Sequence, residues 1–268
     1  MRAALLAAVI TGLATALGAV PFLFVRELPR RLYDGILGLG AGLMLAAATL
    51  GLLGEAVRDV RVGGVLDVAR LAMVVVGFAA GVGLAAAMDR LIPHRHAGGH
   101  HQHLGHKPGH DHHDHHDDER EARRGYAVVG ALSLHRIPEG LAIGAGFAMG
   151  GPSHLGMLLA IAVGIQNVCE GIVMAAPLRQ GGVSPVRGLL VVALTGLAIP
   201  AATLVGLWTA ELTTRSLPLI LALAGGTLIY ITSNEIIPES HSHGHEGTAS
   251  SGVVLGFMLT LVLRAVLP

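Results

Sequence analysis

Two short stretches, LHRIPEG at residues 134–140 and IQNVCEG at residues 165–171, place charged and amide side chains inside long apolar segments. In each stretch a glutamate follows another polar residue at a distance of four positions, so both side chains lie on one face of a helix. A carboxylate in the middle of an apolar helix is unfavourable by about 3 kcal/mol or more, so packing alone does not explain two of them. The polar faces therefore indicate a functional site, formed by His135 and Glu139 on one helix and Gln166 and Glu170 on the next.

The composition is that of an integral membrane protein. Hydrophobic residues make up 52% of the 268 residues, charged residues only 13%, and the mean hydropathy is +0.64. A soluble domain of this length is more polar, which excludes a soluble enzyme as the starting hypothesis. The 18 acidic residues balance the 18 basic ones, so no net charge favours a nucleic-acid partner. The single cysteine, Cys169, excludes an internal disulfide and a Cys-rich structural zinc site.

Apolar stretches long enough to cross a bilayer core of about 30 Å recur along the whole chain. They predict an all-α integral membrane protein, a bundle of eight transmembrane helices in one domain over residues 1–268. Glycine pairs at four-residue spacing predict close contact between helix backbones in lipid. These pairs are Gly77/Gly81, Gly140/Gly144, Gly146/Gly150 and Gly252/Gly256. The predicted spans are residues 3–25, 34–56, 70–92, 126–149, 154–178, 187–210, 215–237 and 250–267.

The positive charges predict the orientation of the bundle. If the N-terminus is outside, eleven of the seventeen lysine and arginine residues other than Arg136 fall in inner loops. The positive-inside rule then places both termini on the outer side of the plasma (inner) membrane.

One long polar segment, residues 93–124, separates the third and fourth predicted spans. Its composition cannot bury a core, so we expect it to be disordered and cytoplasmic. Imidazole suits zinc, copper, nickel and iron, which makes the segment a candidate for capturing or sensing metal. The alternative is a spacer with incidental histidines, and the same two interpretations apply to His241, His243 and His245. The histidines of the segment are His94, His96, His100, His101, His103, His106, His110, His112, His113, His115 and His116.

The two polar faces are predicted to meet near mid-membrane. Adjacent spans run antiparallel, and at about 1.5 Å per residue His135 and Glu139 lie at depths similar to those of Gln166 and Glu170. Imidazole, carboxylate and amide ligands suit Zn²⁺ best, followed by Fe²⁺, Mn²⁺ and Cd²⁺. The alternative is a self-satisfied cluster in which Arg136 bonds both glutamates and stabilises helix association.

A third polar run, SNEIIPESH at residues 233–241, ends the seventh predicted span. Glu235, Glu239 and His241 would lie toward the inner membrane surface and form a vestibule for the same ion. The alternative is an ordinary polar helix end at the interface.

Four stretches carry a resemblance to the ZIP family of metal transporters, in particular to its prokaryotic, GufA-like branch. They are GAGLMLAA at residues 40–47, DRLIPH at residues 89–94, the paired Pro-Glu-Gly-type motifs, and NEIIPESH at residues 234–241. The resemblance covers essentially the whole chain and implies an eight-helix ZIP-type bundle. It also implies import of Zn²⁺ or a related divalent ion into the cytoplasm, with the ion as substrate and not as cofactor.

The same resemblance assigns roles to individual residues. It implies that the transported ion is bound by His135, Glu139, Gln166 and Glu170, and that the chain is not an enzyme. Family members often associate as dimers, so a homodimer is expected on the resemblance alone.

Many family members hold a second ion beside the first, and the corresponding positions of this chain are Arg136, Asn167 and Ile199. The loss of a carboxylate and the gain of a fixed cation predict one bound ion, because the arginine repels a metal ion strongly in a low-dielectric site. Arg136 would take over the electrostatic role of the second ion and keep the glutamates ready to bind. Cys169 stands where the family has a proline. Its sulfur is within reach of the ion, and the alternative is a small buried hydrophobic side chain.

The sequence therefore predicts a transporter in which groups of helices rock around a mid-membrane metal site. Two other classes of protein stay open. An intramembrane metal-dependent hydrolase would use histidine and glutamate around zinc to activate water. A non-transporting metal sensor would have its path plugged by Arg136, and the His-rich segment would report the metal level.

Overall fold

The chain folds into a bundle of long helices. The computed structural model describes residues 1–58, 60–62, 65–91, 115–148, 155–212 and 217–266. The α-helices of these residues are α1 (Arg2–Ala19), α2 (Arg30–Ala46), α3 (Gly54–Arg58), α4 (Val68–Leu91), α5 (His115–Ala148), α6 (Leu155–Gln180), α7 (Pro185–Thr195), α8 (Ala198–Leu212), α9 (Leu217–Ile231), α10 (Ile237–Ser240) and α11 (Glu246–Val266).

Short irregular segments complete the described chain. A 3₁₀ turn, Val20–Leu23, extends α1. Two π-helical segments, Ala47–Leu53 and Thr232–Ile236, connect α2 to α3 and α9 to α10 without a break in the helical run. The two strands β1 (Arg61–Val62) and β2 (Val65–Leu66) pair antiparallel before α4, with Val62 opposite Val65.

Seven helical runs of the described residues are long and apolar enough to cross a membrane. They match every predicted span except the fourth, which confirms the all-α membrane bundle. The fourth predicted span, residues 126–149, lies within α5, where His135, Arg136 and Glu139 lower the mean hydropathy. The seven runs are Arg2–Leu23, Arg30–Arg58, Val68–Arg90, Leu155–Gln180, Pro185–Thr209, Leu217–Ser240 and Glu246–Val266.

Part of the predicted polar segment is helical. α5 begins at His115, so residues 115–124 belong to this helix. Residues 92–114, with the other nine histidines, lie outside the described residues, so the disorder and the metal capture stay predictions.

The sixth predicted span is divided into two helices. α7 ends at Thr195 and α8 begins at Ala198. The amides of Gly196 and Leu197 bond to carbonyl groups three residues earlier, at 3.1 and 3.2 Å. Pro200 cannot donate a hydrogen bond to the Gly196 carbonyl, so the proline explains the interruption.

The helices form two groups that meet at the centre of the bundle. One group contains α1, α5, α6, α7 and α8, and the other contains α2, α4, α9 and α11. The groups contact each other mainly where α2 packs on α6 and α5 packs on α9. The candidate site lies on α5 and α6, beside this boundary.

Glycines set the contacts within each group. A Cβ atom at Gly81 would collide with the Leu223 carbonyl, and one at Gly256 would collide with the Leu39 carbonyl. The predicted pairs therefore do mark close helix contacts, although Gly150 lies outside the described residues. The contacts run in parallel register in four helix pairs: α2 with α11, α4 with α9, α5 with α8, and α1 with α6. Parallel pairs are what an eight-span chain gives when spans two, four or six apart pack together.

Candidate metal site

A polar cluster is buried between α5 and α6. The two predicted faces meet at Glu139, Gln166 and Glu170, whereas His135 of the same α5 face contacts Glu235. No member of the cluster is more than 4% exposed, and Arg136 and Glu139 are fully buried. The members are His135, Arg136 and Glu139 on α5, and Gln166, Asn167 and Glu170 on α6.

Gln166 joins the two buried glutamates. Its side-chain Nε2 donates to Oε1 of Glu139 at 2.7 Å and to Oε1 of Glu170 at 2.9 Å. One amide group therefore holds carboxylates of both helices in a single hydrogen-bonded unit. The second oxygen of Glu139, Oε2, is buried and has no hydrogen-bond partner among the described residues.

Arg136 fills the space next to this unit. Its Nη1 donates to Oδ1 of Asn167 at 3.0 Å, and its Nη2 lies 3.3 Å from Oε2 of Glu170. Nη2 also lies 3.9 Å from the sulfur of Met174. Asn167 is fixed in turn, because its Nδ2 donates to the Thr11 carbonyl of α1 at 2.8 Å. The guanidinium thus lies between Asn167 and Glu170. The resemblance implies that Asn167 is at a ligand position for a second ion and that Glu170 binds the transported ion.

Ile199 occupies the remaining second-ion position with an apolar side chain. It is fully buried. Its carbonyl oxygen packs against Gly140 of α5, at a contact too close for any Cβ on that glycine. An isoleucine side chain cannot bind a metal ion, so Ile199 does not provide the second-ion ligand that the resemblance implies at this position.

His135 faces the other helix group. Its Nε2 lies 3.5 Å from Oε2 of Glu235, which belongs to the π-helical segment after α9. The neighbouring Asn234 donates from Nδ2 to Oδ2 of Asp89 at the end of α4, at 3.1 Å. π-helical turns are frequent at functional sites because they redirect side chains that a regular helix would turn away. The contact of His135 with Glu235 therefore connects α5 to the second helix group.

The other predicted pathway residues do not join the central cluster. Cys169 is buried, and its Cβ lies 3.4 Å from the place where a Cβ on Gly40 of α2 would be. Its neighbour is thus the backbone of the second helix group. Glu239 and His241 lie at the end of α10, where the ring of His241 is hydrogen-bonded to the Ile237 carbonyl at 2.9 Å.

Three of the four predicted ligands, Glu139, Gln166 and Glu170, contact one another directly. Within the described ranges of the chain, no three histidine, cysteine, aspartate or glutamate side chains are arranged as a ready metal site. A zinc ion with ligand bonds of about 2 Å holds its ligand atoms more than 3 Å apart. The 2.7 and 2.9 Å contacts of Gln166 are shorter than that. Binding an ion therefore requires Gln166 to move.

Sequence reasoning missed two buried carboxylates in the second span. Asp34 is fully buried and contacts His243 and His245 of the loop before α11. Glu55 at the opposite end is also buried and pairs with Arg264 of α11 at 3.3 Å. A usable signal was present, because an ionisable residue within an apolar span is a functional hypothesis by default.

An all-α bundle whose helices are long and apolar enough to cross a membrane, with two glutamates and an arginine buried between α5 and α6, defines a multi-pass membrane protein. The chain belongs to the ZIP zinc transporter family, because the family described as ZIP Zinc transporter matches residues 89–264, which include α5 and α6.

Similar proteins extend this assignment to the whole chain. The zinc transporter GufA of Myxococcus xanthus is 36% identical over 264 residues, 98% of both chains. The zinc transporter ZIPB of Bordetella bronchiseptica is also 36% identical, over 95% of this chain and 78% of that one. The zinc transporter ZupT of Chlorobium luteolum is 28% identical over 95% and 94% of the two chains. The predicted prokaryotic branch is confirmed, and a family of transporters leaves no place for the hydrolase hypothesis.

Proposed function

We propose that the protein transports a divalent transition-metal ion, zinc in the first place, through the cluster of His135, Glu139, Gln166 and Glu170. The proposal rests above all on Gln166, which bridges carboxylates of α5 and α6 inside the bundle. Burying two carboxylates in an apolar bundle is energetically unfavourable. Their presence therefore indicates a function that requires negative charge at this position. The zinc transporters that resemble this chain support zinc as the substrate. Fe²⁺, Mn²⁺ and Cd²⁺ are further substrates of the same ligand chemistry.

Three movements would make the cluster a metal site. The Gln166 amide turns over, so that its oxygen and not its NH₂ group faces the glutamates. Glu139 binds through Oε2, which has no hydrogen-bond partner among the described residues. His135 leaves Glu235, 3.5 Å away, and turns its ring to the ion. Each movement is a side-chain rotation, so ion binding does not require α5 and α6 to separate.

Arg136 limits the site to one ion. Its guanidinium lies between Asn167 and Glu170, at 3.0 and 3.3 Å, where a second ion would need the same two ligands. The arginine supplies one fixed positive charge there. With both glutamates ionised, the cluster carries a formal charge of −1, which one divalent ion changes to +1.

The direction of transport follows from the orientation. The arginine and lysine distribution favours both termini outside the plasma membrane, so the end of the bundle formed by Glu235, Glu239 and His241 is the inner one. An ion that leaves the central cluster toward this end enters the cytoplasm. The His-rich segment, residues 93–124, joins helices at the same end and would receive the ion. Rocking of the two helix groups at the α2–α6 and α5–α9 contacts would alternate access. A homodimer stays a prediction.

A second candidate function is a metal sensor without transport. The ion pair of Arg136 with Glu170 favours it, because a fully buried guanidinium inside the path could act as a plug. The two functions differ in flux. A sensor binds the ion saturably and passes none.

Uptake of Zn²⁺ and Cd²⁺ into proteoliposomes tests both functions. The variants are Glu170→Ala, which removes a central ligand, and Glu27→Ala, which removes an exposed carboxylate outside the cluster as a matched control. Saturable flux that disappears only in Glu170→Ala supports transport through the proposed site. Flux that persists in Glu170→Ala refutes the site. No flux in the wild-type protein, with flux restored by Arg136→Asn, identifies the sensor.

A further inference from the structure

A second group of ligand-type side chains lies where α2 meets the loop between α10 and α11. Asp34, in the second turn of α2, has no solvent-exposed surface. Nδ1 of His243 lies 2.8 Å from one carboxylate oxygen, and Nδ1 of His245 lies 3.2 Å from the other. One loop therefore supplies two imidazoles to one buried carboxylate. We refer to these three residues as the Asp34 cluster.

The surroundings of the Asp34 cluster hold the rings in place and leave them reachable. Tyr33 packs edge-on against the ring of His243, with 5.9 Å between ring centres. Oε1 of Glu239 lies 4.0 Å from Nε2 of the same histidine. The side chains of His243 and His245 are 26% and 36% exposed, whereas that of Asp34 is not exposed at all. An ion can therefore approach from the histidine side only.

We propose that the Asp34 cluster binds a divalent transition-metal ion, separately from the cluster on α5 and α6. The two imidazoles each contact one oxygen of the buried carboxylate, and no Lys or Arg side chain is paired with Asp34 among the described residues. A divalent ion held by these three side chains would place positive charge directly beside the carboxylate. Two imidazole nitrogens and one carboxylate are a ligand set that zinc and cadmium accept, with the fourth position left to water or Glu239.

The three side chains are not yet spaced as a ready metal site, and a small movement of the loop would admit the ion. Contacts of 2.8 and 3.2 Å are hydrogen bonds, and metal bonds of about 2 Å require the nitrogen and oxygen atoms to move apart by up to about 1 Å. Gly244, between the two histidines, has φ +84°, a conformation that glycine adopts without strain. The imidazole proton shifts from Nδ1 to Nε2 when Nδ1 binds the ion. Oε1 of Glu239 lies 4.0 Å from Nε2 of His243, on the side of the ring that would then carry the proton.

The Asp34 cluster is spatially distinct from the central site. Gly40 of α2 faces Cys169, which directly precedes the central ligand Glu170. Asp34 lies six residues before Gly40, which is about 9 Å along the helix axis. The proposed site therefore lies nearer the end of the bundle, and its existence does not depend on the proposed transport.

Anomalous diffraction from crystals of the full chain with micromolar Cd²⁺ tests the inference. The variant His243→Gln/His245→Gln can still donate hydrogen bonds to Asp34, and Asp34→Asn keeps the shape of the carboxylate. Ser250→Ala is the matched control, since this serine contacts His241 and not Asp34. We expect a cadmium peak within about 2.5 Å of Asp34, His243 and His245 ligand atoms in the wild-type and control proteins. Both test variants should lose that peak.

Equilibrium dialysis of the same proteins gives the solution measurement. Each test variant should bind one Cd²⁺ fewer per protomer than the wild-type protein. A cadmium peak beside Glu139 and Glu170 with none at Asp34 overturns the inference and leaves the proposed function intact. A peak at Asp34 with none beside the glutamates supports the inference and contradicts the proposed central site. Unchanged dialysis stoichiometry in a folded Asp34→Asn protein also overturns the inference, whatever the crystals show.

Discussion

Replacing Arg136 should change how many ions the central cluster binds and how tightly it binds them. Three variants separate the effect of the positive charge from the effect of an added ligand atom. Arg136→Asn removes the charge and adds a ligand oxygen beside Asn167 and Glu170, so we expect two ions. Arg136→Met removes the charge without adding a hard ligand, so we expect one ion that is bound more tightly. Arg136→Lys keeps a positive charge, so we expect one ion with an affinity close to that of the wild-type protein.

The size of the effect follows from the position of the guanidinium. Nη2 lies 3.3 Å from Oε2 of Glu170, so an ion on the other oxygen of that carboxylate would be on the order of 5 Å from the positive charge. At an effective dielectric constant of about 20, repulsion between a divalent and a monovalent cation at this separation is about 7 kcal/mol. Relaxation of Glu170 and Asn167 offsets most of it. If one fifth of the repulsion remains, about 1.4 kcal/mol, the Arg136→Met protein should bind the ion about tenfold more tightly than the wild-type protein.

The assay is equilibrium dialysis against Cd²⁺ with metal counted per protomer by mass spectrometry. The His-rich segment and the Asp34 cluster would add their own ions. Each Arg136 variant is therefore compared with the same variant carrying Glu139→Gln and Glu170→Gln. The difference counts only the ions that depend on the two glutamates.

Two results would refute this reasoning. One is a difference of two ions in the wild-type protein, because the guanidinium would then leave room for the second ion. The other is equal affinity in folded Arg136→Met and Arg136→Lys proteins, because the charge would then have no effect on the bound ion. Thermal unfolding of each variant identifies those that are folded.

Three further outcomes are expected. Gln166→Leu removes the donor that bridges the glutamates and should destabilise the protein by about 1–3 kcal/mol; an unchanged Tm in detergent would contradict this. Gly42→Val should prevent correct folding, because its Cβ would collide with the backbone of α11, whereas Gly83→Ala has open space and should leave the size-exclusion profile unchanged. Glu235→Gln should lower the maximal uptake rate about tenfold with KM within about threefold, because its carboxylate contacts His135 but is not one of the four ligands; the opposite pattern would make it a ligand.

The sequence predicted those features that depend on short-range spacing. Four-residue intervals correctly brought Glu139 together with Gln166 and Glu170, because a helix brings such positions onto one face. Glycine intervals correctly marked helix contacts for the same reason. The apolar lengths predicted the spans, and motif resemblance predicted the family.

Features that depend on tertiary contact could not be predicted in this way. Asp34 and His243 are separated by 209 positions along the chain, and no periodicity connects them. The π-helical segment Thr232–Ile236 carries no composition signal, yet it turns Glu235 toward His135. The interruption before α8 is different, since Pro200 offered a local signal that the length of the apolar stretch obscured.

In the proposed one-ion site, Arg136 supplies beside the buried Glu170 the positive charge that a second ion would otherwise supply. In a family with two ions, positive charge next to Glu170 and Asn167 would come from metal. In this chain it comes from a covalently attached guanidinium, fixed by Asn167, Glu170 and the sulfur of Met174. This part of the site therefore keeps its positive charge and its contacts between α5 and α6 whether or not an ion is bound. Under the proposed function, the other part, with His135 and Oε2 of Glu139, would bind and release the ion while Arg136 stays beside Glu170.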